Sequence, residues 1–249
     1  MKKLVKKANA SGQELPLPFG INASMYFQEQ AMDIQQIAIG DFQVSTEGQF
    51  IDINGSQISN TTFTSQLRGD LWLFPFLNIY GMAGQVTTFN NIELLININM
   101  PPIPGITSGD LKTIERKEIA KINGGVFGGG IVIAFGYKRF FTNINVSFAR
   151  TFLSELKSSQ DAFIAFPMIG YSTNFANFFA ATMYQNKGQA NKGSFINSNG
   201  TPTNYSIVFN SKDWNLIFGM NKTINHWSMN FMLGFGPRTN SLIEIGYRL

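Results

Sequence analysis

The chain has 249 residues, of which 44% are hydrophobic, 14% are aromatic and only 14% are charged, well below the roughly 25% of an average soluble domain. The absence of cysteine excludes a disulfide framework, a thiolate metal site and a Cys nucleophile, and one histidine gives no basis for expecting a metal or cofactor. The formal net charge of +4 is spread along the chain, so nucleic acid is not an expected partner.

The chain begins with a basic cluster, MKKLVKK, followed by Ala8-Asn9-Ala10. The lysines resemble the first region of a secretory signal peptide and the alanines resemble its cleavage site, but the apolar region between them is missing. Residues 1–18 are therefore interpreted as a basic tail or the remnant of an export signal. Residues 19–249 are interpreted as one β-domain.

The clearest strand signal lies in residues 126–151, VFGGGIVIAFGYKRFFTNINVSFART. On both sides of Lys138-Arg139, large apolar side chains alternate with small or polar ones, which is the period of a β-strand. The stretch 162–186 lacks charge and is long enough for a membrane helix, but Pro167 and Gly170 interrupt it. It is interpreted as two strands joined by a turn.

The same alternation predicts strands along the whole domain. Ten strands are expected, with twelve as second choice because residues 41–53 or 92–100 could add strands. Short connections alternate with longer ones near 31–59, 91–123, 154–160, 187–206 and 236–239. The predicted strands are 19–30, 60–74, 77–90, 124–137, 140–153, 161–171, 174–186, 207–221, 226–235 and 240–249.

An even strand count with short and long connections in alternation is typical of a transmembrane, antiparallel, up-and-down β-barrel. Short turns would then face the periplasm, long loops would face outward, and both termini would be periplasmic. A soluble β-sandwich that serves as a binding protein remains an alternative. Aromatic residues next to the short turns predict a girdle at that end: Phe19, Phe74, Phe76, Tyr137, Phe140, Phe141, Tyr171, Phe175, Trp227 and Tyr247.

Two of the longer connections differ in character. Residues 91–123 are apolar first and charged afterwards, with three prolines between 101 and 104. They are expected to form a lid, a plug inside the barrel, or a hairpin that extends above the membrane. Residues 187–206 are rich in Asn, Gly and Ser and are expected to form a solvated loop.

Four charged residues fall on the inward face of the predicted barrel: Arg68, Asp70, Glu244 and Arg248. Charges in a narrow lumen must pair, because an isolated ion there loses its hydration. The first interpretation is an ion-pair network that ties the first strands to the last one. The alternative is a network that gates a narrow polar path.

The ending SLIEIGYRL, with Ile243, Ile245, Tyr247 and Leu249 at alternate positions, resembles the C-terminal strand of bacterial outer-membrane barrels. The stretch DLWLFPFLNIYGMAG resembles a hairpin of small uncharacterised barrel proteins. The resemblance implies a bacterial outer membrane, contact with the lipid bilayer and lipopolysaccharide, and an assembly signal in the last strand read by the barrel-assembly machinery. Leu249 departs from the Phe that usually ends this signal.

Catalysis is the weaker hypothesis. His226 and Ser228, with Glu244 as the acid, faintly resemble the His-x-Ser pair of outer-membrane lipid A deacylases, which implies a lipid hydrolase. The alternative is that His226 caps a periplasmic turn. The Gly-rich run 124–130 lacks the ending of a phosphate-binding loop and is interpreted as structural. The expected function is therefore non-enzymatic: a porin-like narrow passage or a surface-loop binding scaffold, which leaves room for a small solute or a hydrophobic ligand.

Overall fold

The computed structural model describes residues 17–39, 42–47, 51–98, 112–154, 158–187, 190–196, 202–210 and 213–249. Within these residues no helix has the length and apolarity needed to cross a membrane. The strands are β1 (Phe19–Ile39), β2 (Phe42–Ser45), β3 (Ile51–Asp52), β4 (Gln57–Phe74), β5 (Leu77–Ile98), β6 (Lys112–Tyr137), β7 (Phe140–Leu153), β8 (Ser158–Ser172), β9 (Asn177–Lys187), β10 (Ala190–Ile196), β11 (Pro202–Asn210), β12 (Trp214–Ile224), β13 (Trp227–Phe235) and β14 (Arg238–Arg248).

Antiparallel pairings close the sheet into a barrel. The ring runs from β1 through β4, β5, β6, β7, β8, β9, β12, β13 and β14 and returns to β1. The first and last strands pair from Gly20 with Arg248 to Gln30 with Arg238. Because the ring closes, its strands leave no free edge. The chain therefore forms one barrel, and the alternative of two packed sheets is wrong.

Strands β1, β5 and β6 extend farthest beyond their predicted ends. The hairpin of β5 and β6 pairs as far as Ile98 with Lys112, so most of the predicted 91–123 loop is an extended hairpin. Residues 99–111 lie outside the described part of the chain. Strand β1 pairs with β14 as far as Gln30 and with β4 as far as Asp33, and its upper part then pairs with β11 on one side and β2 on the other. Isoleucine and other strand formers continue through these segments, which explains why pairing continues as well.

Two predictions between residues 187 and 221 were wrong. The predicted loop 187–206 contains β10 and the start of β11, which form a hairpin with each other. The predicted strand 207–221 is divided between β11 and β12, and residues 211–212 lie outside the described part. Strand β11 joins the upper part of β1, whereas β12 belongs to the ring. The alternation in residues 207–221 predicts one strand, but pairing with β1 separates β11 from β12.

The outer face of the wall is apolar and exposed, and the inner face is buried. Met25, Leu67 and Ile169 are 61%, 63% and 63% exposed, whereas Asn22 and Gln28 on the other face are 4% and 1% exposed. A soluble protein normally hides its large aliphatic side chains, and so large an exposed apolar surface marks a non-aqueous contact. Apolar-out and polar-in alternation is the pattern of a barrel that sits in lipid.

The upper part of the β5–β6 hairpin carries charged side chains on its outer surface. On its outward face the Lys117 ammonium contacts the carboxylates of Glu115 at 3.1 Å and Glu93 at 3.3 Å. Hydrogen bonds to Glu115 and then to Glu93 raise the pKa of Lys117 above its usual value. Three exposed ionic groups would be expensive in hydrocarbon, so this segment lies beyond the apolar belt.

Aromatic contacts occur at both ends of the wall, such as Tyr184 with Trp214 at the end away from the short turns and the following two pairs at the short-turn end. Ring centroids lie 5.6 Å apart for Phe74 and Phe76, and 5.1 Å apart for Phe140 and Tyr171. The predicted girdle requires one correction: Phe141 faces inward, where its ring occupies the space over Gly170. The reason is the alternation of β7, which turns Phe140 out and its neighbour in.

The turns at this end also shift slightly from their predicted positions. The turn between β8 and β9 spans residues 173–176, and the turn between β12 and β13 is Asn225-His226. Lys138 and Asn225 have φ angles of 53° and 54°, the left-handed values that two-residue hairpin turns require.

The interior is less uniformly polar than the sequence pattern suggests. One buried apolar cluster consists of Ala181, Met183 and Ile217, with Ile164, Phe166, Met168 and Met232 packed against it. A second cluster joins the upper part of β1 to β2 and β4 and consists of Ile34, Val44, Ile53 and Ile58. The interior therefore combines apolar clusters with polar side chains, among them Asn145 and Ser147 on β7 as well as those on β1.

Candidate functional site

A line of polar side chains follows the luminal face of β1. We call Asn22, Ser24, Tyr26, Gln28 and Gln30 the β1 polar file. Four of its members, Asn22, Ser24, Gln28 and Gln30, are at most 6% exposed. The Tyr26 hydroxyl donates to Gln28 Oε1 at 2.9 Å, and Gln28 Nε2 donates to Gln30 Oε1 at 3.4 Å. The file arises because every second residue of the first strand is polar, and it runs between two charged centres.

The first centre lies at the short-turn end and is built on Asp70. Its carboxylate accepts hydrogen bonds from Asn22 Nδ2 at 2.8 Å, Asn78 Nδ2 at 2.8 Å and Arg248 Nη2 at 2.7 Å. The Asp70 side chain has no exposed surface. A buried carboxylate needs such partners, and these donors stabilise its charged form.

Gly20 creates the space for this ion pair. In the strand register Gly20 lies between Asp70 on β4 and Arg248 on β14. A Cβ atom at this position would lie 2.5 Å from Asp70 Oδ2 and 3.1 Å from Arg248 Cζ. The two charged side chains therefore meet over a residue that has no side chain.

A second ion pair lies one step further into the lumen. Arg68 Nη2 contacts Glu244 Oε1 at 3.4 Å, with side-chain exposures of 24% and 13%. The Arg68 guanidinium also lies 5.2 Å from the centre of the Tyr80 ring. We call Arg68, Asp70, Glu244 and Arg248 the inner charge network. The structure brings these four sequence-predicted residues together as two ion pairs that connect β4 with β14 across β1.

Arg248 also connects the segment that enters β1 with the end of β14. Its Nη1 donates to the backbone oxygen of Leu17 at 2.9 Å, and its backbone N–H donates to the oxygen of His226 at 2.9 Å. The backbone N–H of Leu249 donates to the oxygen of Phe19 at 3.0 Å. The entry to β1 and the end of β14 are therefore fastened at one point.

The residues of the hydrolase hypothesis do not form a catalytic arrangement. His226 is exposed in its turn, and its Nδ1 lies 2.8 Å from the Arg248 backbone oxygen. Ser228 lies on the luminal face beside Gly246, and Glu244 pairs with Arg68. Across the described ranges no hydrogen bond joins His226 to Ser228 or to Glu244. The geometry of a Ser–His–acid triad is absent from these residues.

The second charged centre lies at the other end of the polar file and was missed by the sequence reading. Arg238 is 1% exposed, and it pairs in register with Gln30. Its Nη1 donates to Gln185 Oε1 at 3.0 Å and its Nη2 donates to the Asp213 backbone oxygen at 2.6 Å. The signal was present, because Arg238 has the same parity as Glu244 and Arg248, but residues 236–239 were assigned to a loop.

The remaining predicted residues lie on the outer face or shape the wall. Ile243, Ile245, Tyr247 and Leu249 point outward and are 54%, 44%, 37% and 64% exposed. Their role as an assembly signal stays a prediction. In the Gly-rich run, a Cβ on Gly130 would lie 2.7 Å from the Tyr80 hydroxyl, which in turn donates to Asn145 Oδ1 at 2.8 Å. Gly130 therefore leaves room for a luminal tyrosine.

No protein-family model and no curated protein matches the sequence. Among solved structures, the chain is similar to the translocator domain of autotransporter NalP from Neisseria meningitidis, with 10% identity, a TM-score of 0.44, and coverage of 100% of this chain and 94% of that chain. The toluene transporter TodX of Pseudomonas putida gives 10% identity, a TM-score of 0.34 and coverage of 96% and 89%. The outer membrane protein Omp33 of Acinetobacter baumannii gives 10% identity, a TM-score of 0.27 and coverage of 95% and 100%.

At these identities and TM-scores the likeness carries no functional conclusion. The closed ring of pairings and the two-faced wall carry the fold by themselves. The chain is a closed β-barrel with an apolar outer face.

Proposed function

We propose that the ten strands of the closed ring cross a bacterial outer membrane and that the barrel is a narrow, non-enzymatic passage for small solutes. The observation that carries this proposal is the β1 polar file, which leads from the inner charge network to Arg238. Amide and hydroxyl groups in a lumen replace part of a solute's hydration shell. A barrel filled only for stability would not need such a line from end to end.

The orientation follows from the two ends. The end with the short turns faces the periplasm, and the extended β5–β6 hairpin faces outward. On β6 the apolar outward face runs from Tyr137 to Phe127, which covers about 25 Å of bilayer when strands tilt at the usual angle. Both termini then lie on the periplasmic side, the outer loops meet lipopolysaccharide, and β14 presents its outward face to the barrel-assembly machinery.

The inner charge network is the proposed gate. The Asp70–Arg248 pair is fully engaged with neighbouring donors, so it fixes the wall. The Arg68–Glu244 pair is longer, at 3.4 Å, and more exposed, so it can part at lower cost. Movement of the Arg68 side chain away from Glu244 would open the end of the β1 polar file that lies next to the inner charge network.

The test is single-channel conductance in planar bilayers. The purified protein is expected to give discrete steps, and Glu244→Gln is expected to change the open fraction because Arg68 loses its partner. Arg150→Gln is the matched control, since Arg150 forms an outward-facing pair with Asp161 that does not line the lumen. Correctly folded protein that gives no steps under any voltage would overturn the passage.

A binding scaffold is the second candidate, and one observation favours it. The buried cluster of Ile34, Val44, Ile53 and Ile58 holds the strands outside the ring as an ordered extension. Such an extension could present a surface to a hydrophobic ligand or to another cell. A scaffold predicts binding that is lost when residues 99–111 are shortened, with no conductance in the same preparation.

A further inference from the structure

Arg238 differs from Arg68 and Arg248 because, within the described residues, no carboxylate oxygen lies at ion-pair distance from it. Arg68 and Arg248 each pair with an acid, so the inner charge network carries no net charge. Within the described residues Arg238 forms no ion pair, and its contacts are the Gln185 amide oxygen and the Asp213 backbone oxygen. At 1% exposure its guanidinium is a buried positive charge whose hydrogen bonds go to neutral acceptors, with the Asp213 carboxylate acting on it only from beyond ion-pair distance.

Unused hydrogen-bond donors lie on the same part of the wall. In the described part of the chain, Arg238 Nε, Asn240 Nδ2 and Asn215 Nδ2 are buried without a hydrogen-bond partner, as is one acceptor, Asn215 Oδ1. Arg238 and Asn240 are adjacent on the luminal face of β14. Asn215 lies at the same end of the barrel as Arg238. A Cβ atom on Gly236, two residues before Arg238, would lie 2.7 Å from Asn215 Oδ1. Buried hydrogen-bond donors are almost always paired, so three unpaired donors indicate that an acceptor is missing.

We propose that the luminal wall around Arg238, Asn240 and Asn215 binds a small inorganic anion of the chloride type. A positive charge with an excess of N–H donors is the chemistry that recognises anions. The second part of the proposal rests on the proposed passage: the positive charge of Arg238 at the outer end, which forms no ion pair in the described residues, makes the lumen select anions over cations.

Binding is tested without any reference to transport. Thermal unfolding of the detergent-solubilised protein is compared in potassium chloride and potassium gluconate at equal ionic strength. Chloride is expected to raise the midpoint by a few degrees, since a ligand that binds only the folded state stabilises it. The rise is expected to vanish in Arg238→Gln and to persist in Arg150→Gln, which removes a positive charge from the outer surface.

A second variant guards against a folding defect in Arg238→Gln. Asn240→Leu keeps the charge and removes one donor, and it is expected to shift the chloride dependence to concentrations about tenfold higher. Equal midpoints in chloride and gluconate for the wild-type protein would overturn the anion site, and ordered water would then account for the unused donors.

Selectivity is tested by the reversal potential across a potassium chloride gradient. The wild-type protein is expected to favour chloride over potassium, and the ratio is expected to fall several-fold in Arg238→Gln but not in Arg150→Gln. If chloride stabilises the protein but no conductance occurs, the anion site stands and the passage is wrong. If conductance is cation-selective and chloride has no effect on stability, the passage stands and the anion site is wrong.

Discussion

Arg248 Nη2 lies 2.7 Å from Asp70 Oδ1, although 178 positions separate the two residues along the chain. The contact passes over Gly20 and joins the strands on either side of β1. Since β1 and β14 close the ring, this ion pair lies at the seam of the barrel. Its environment leads to the first two predictions.

Replacing Asp70 by Asn is expected to destabilise the barrel. The substitution leaves the Arg248 guanidinium, which is 20% exposed, without its carboxylate, and breaking a buried pair of this kind costs about 2–4 kcal/mol. The temperature at which the folded band disappears on a semi-native gel is the measurement. Asp161→Asn is the control, because the Arg150–Asp161 ion pair is half exposed and is expected to contribute about 0–1 kcal/mol to stability. Equal losses for the two variants would contradict a special role for the seam.

Gly20→Ala is expected to disturb the Asp70–Arg248 ion pair, which passes over Gly20. The new methyl group would stand 2.5 Å from Asp70 Oδ2, so the carboxylate must move, at a cost of about 1–3 kcal/mol. Gly69→Ala provides the control on the neighbouring strand, since nothing lies within 4 Å of its Cβ position. The same gel assay should show a lower transition temperature for the first variant only. A neutral Gly20→Ala would mean that the pair can shift freely.

Leu67→Arg tests whether the outer face meets lipid. Leu67 is 63% exposed, and a charge at such a position costs about 2–4 kcal/mol near the bilayer midplane but almost nothing in water. Ile119 is 77% exposed on the hairpin above the proposed belt, and Ile119→Arg should be close to neutral. Unfolding in lipid vesicles by urea measures both. If both variants are neutral, the apolar face does not contact hydrocarbon.

Ile217→Ala is expected to destabilise the luminal apolar cluster. Ile217 is 2% exposed and packs in the cluster with Ala181 and Met183, so its truncation leaves a cavity and costs about 2–4 kcal/mol. Phe218 is its neighbour on the lipid-facing side and is 49% exposed. Phe218→Ala should cost less, because lipid chains fill the space that the ring leaves. Urea unfolding compares the two, and a larger loss for Phe218→Ala would contradict a packed interior.

The position of the inner charge network shows how far sequence reasoning reaches. The parity of Arg68, Asp70, Glu244 and Arg248 already places them on the inward face, because side chains alternate strictly along a strand. Parity does not say which acid meets which arginine. That pairing depends on the register of β1 against both of its neighbours, which brings Asp70 and Arg248 to either side of Gly20.

The sequence by itself determined the two faces of the wall, the short turns and the position of most strands, because these depend on contacts between near neighbours and on a period of two. Only the tertiary structure decided that β11 leaves the predicted strand 207–221 to pair with β1, and that Arg238 lies buried in the wall instead of in a loop. Both depend on contacts between segments far apart in the chain. Such contacts form only when the ring closes and fixes the register, and local alternation carries no information about them.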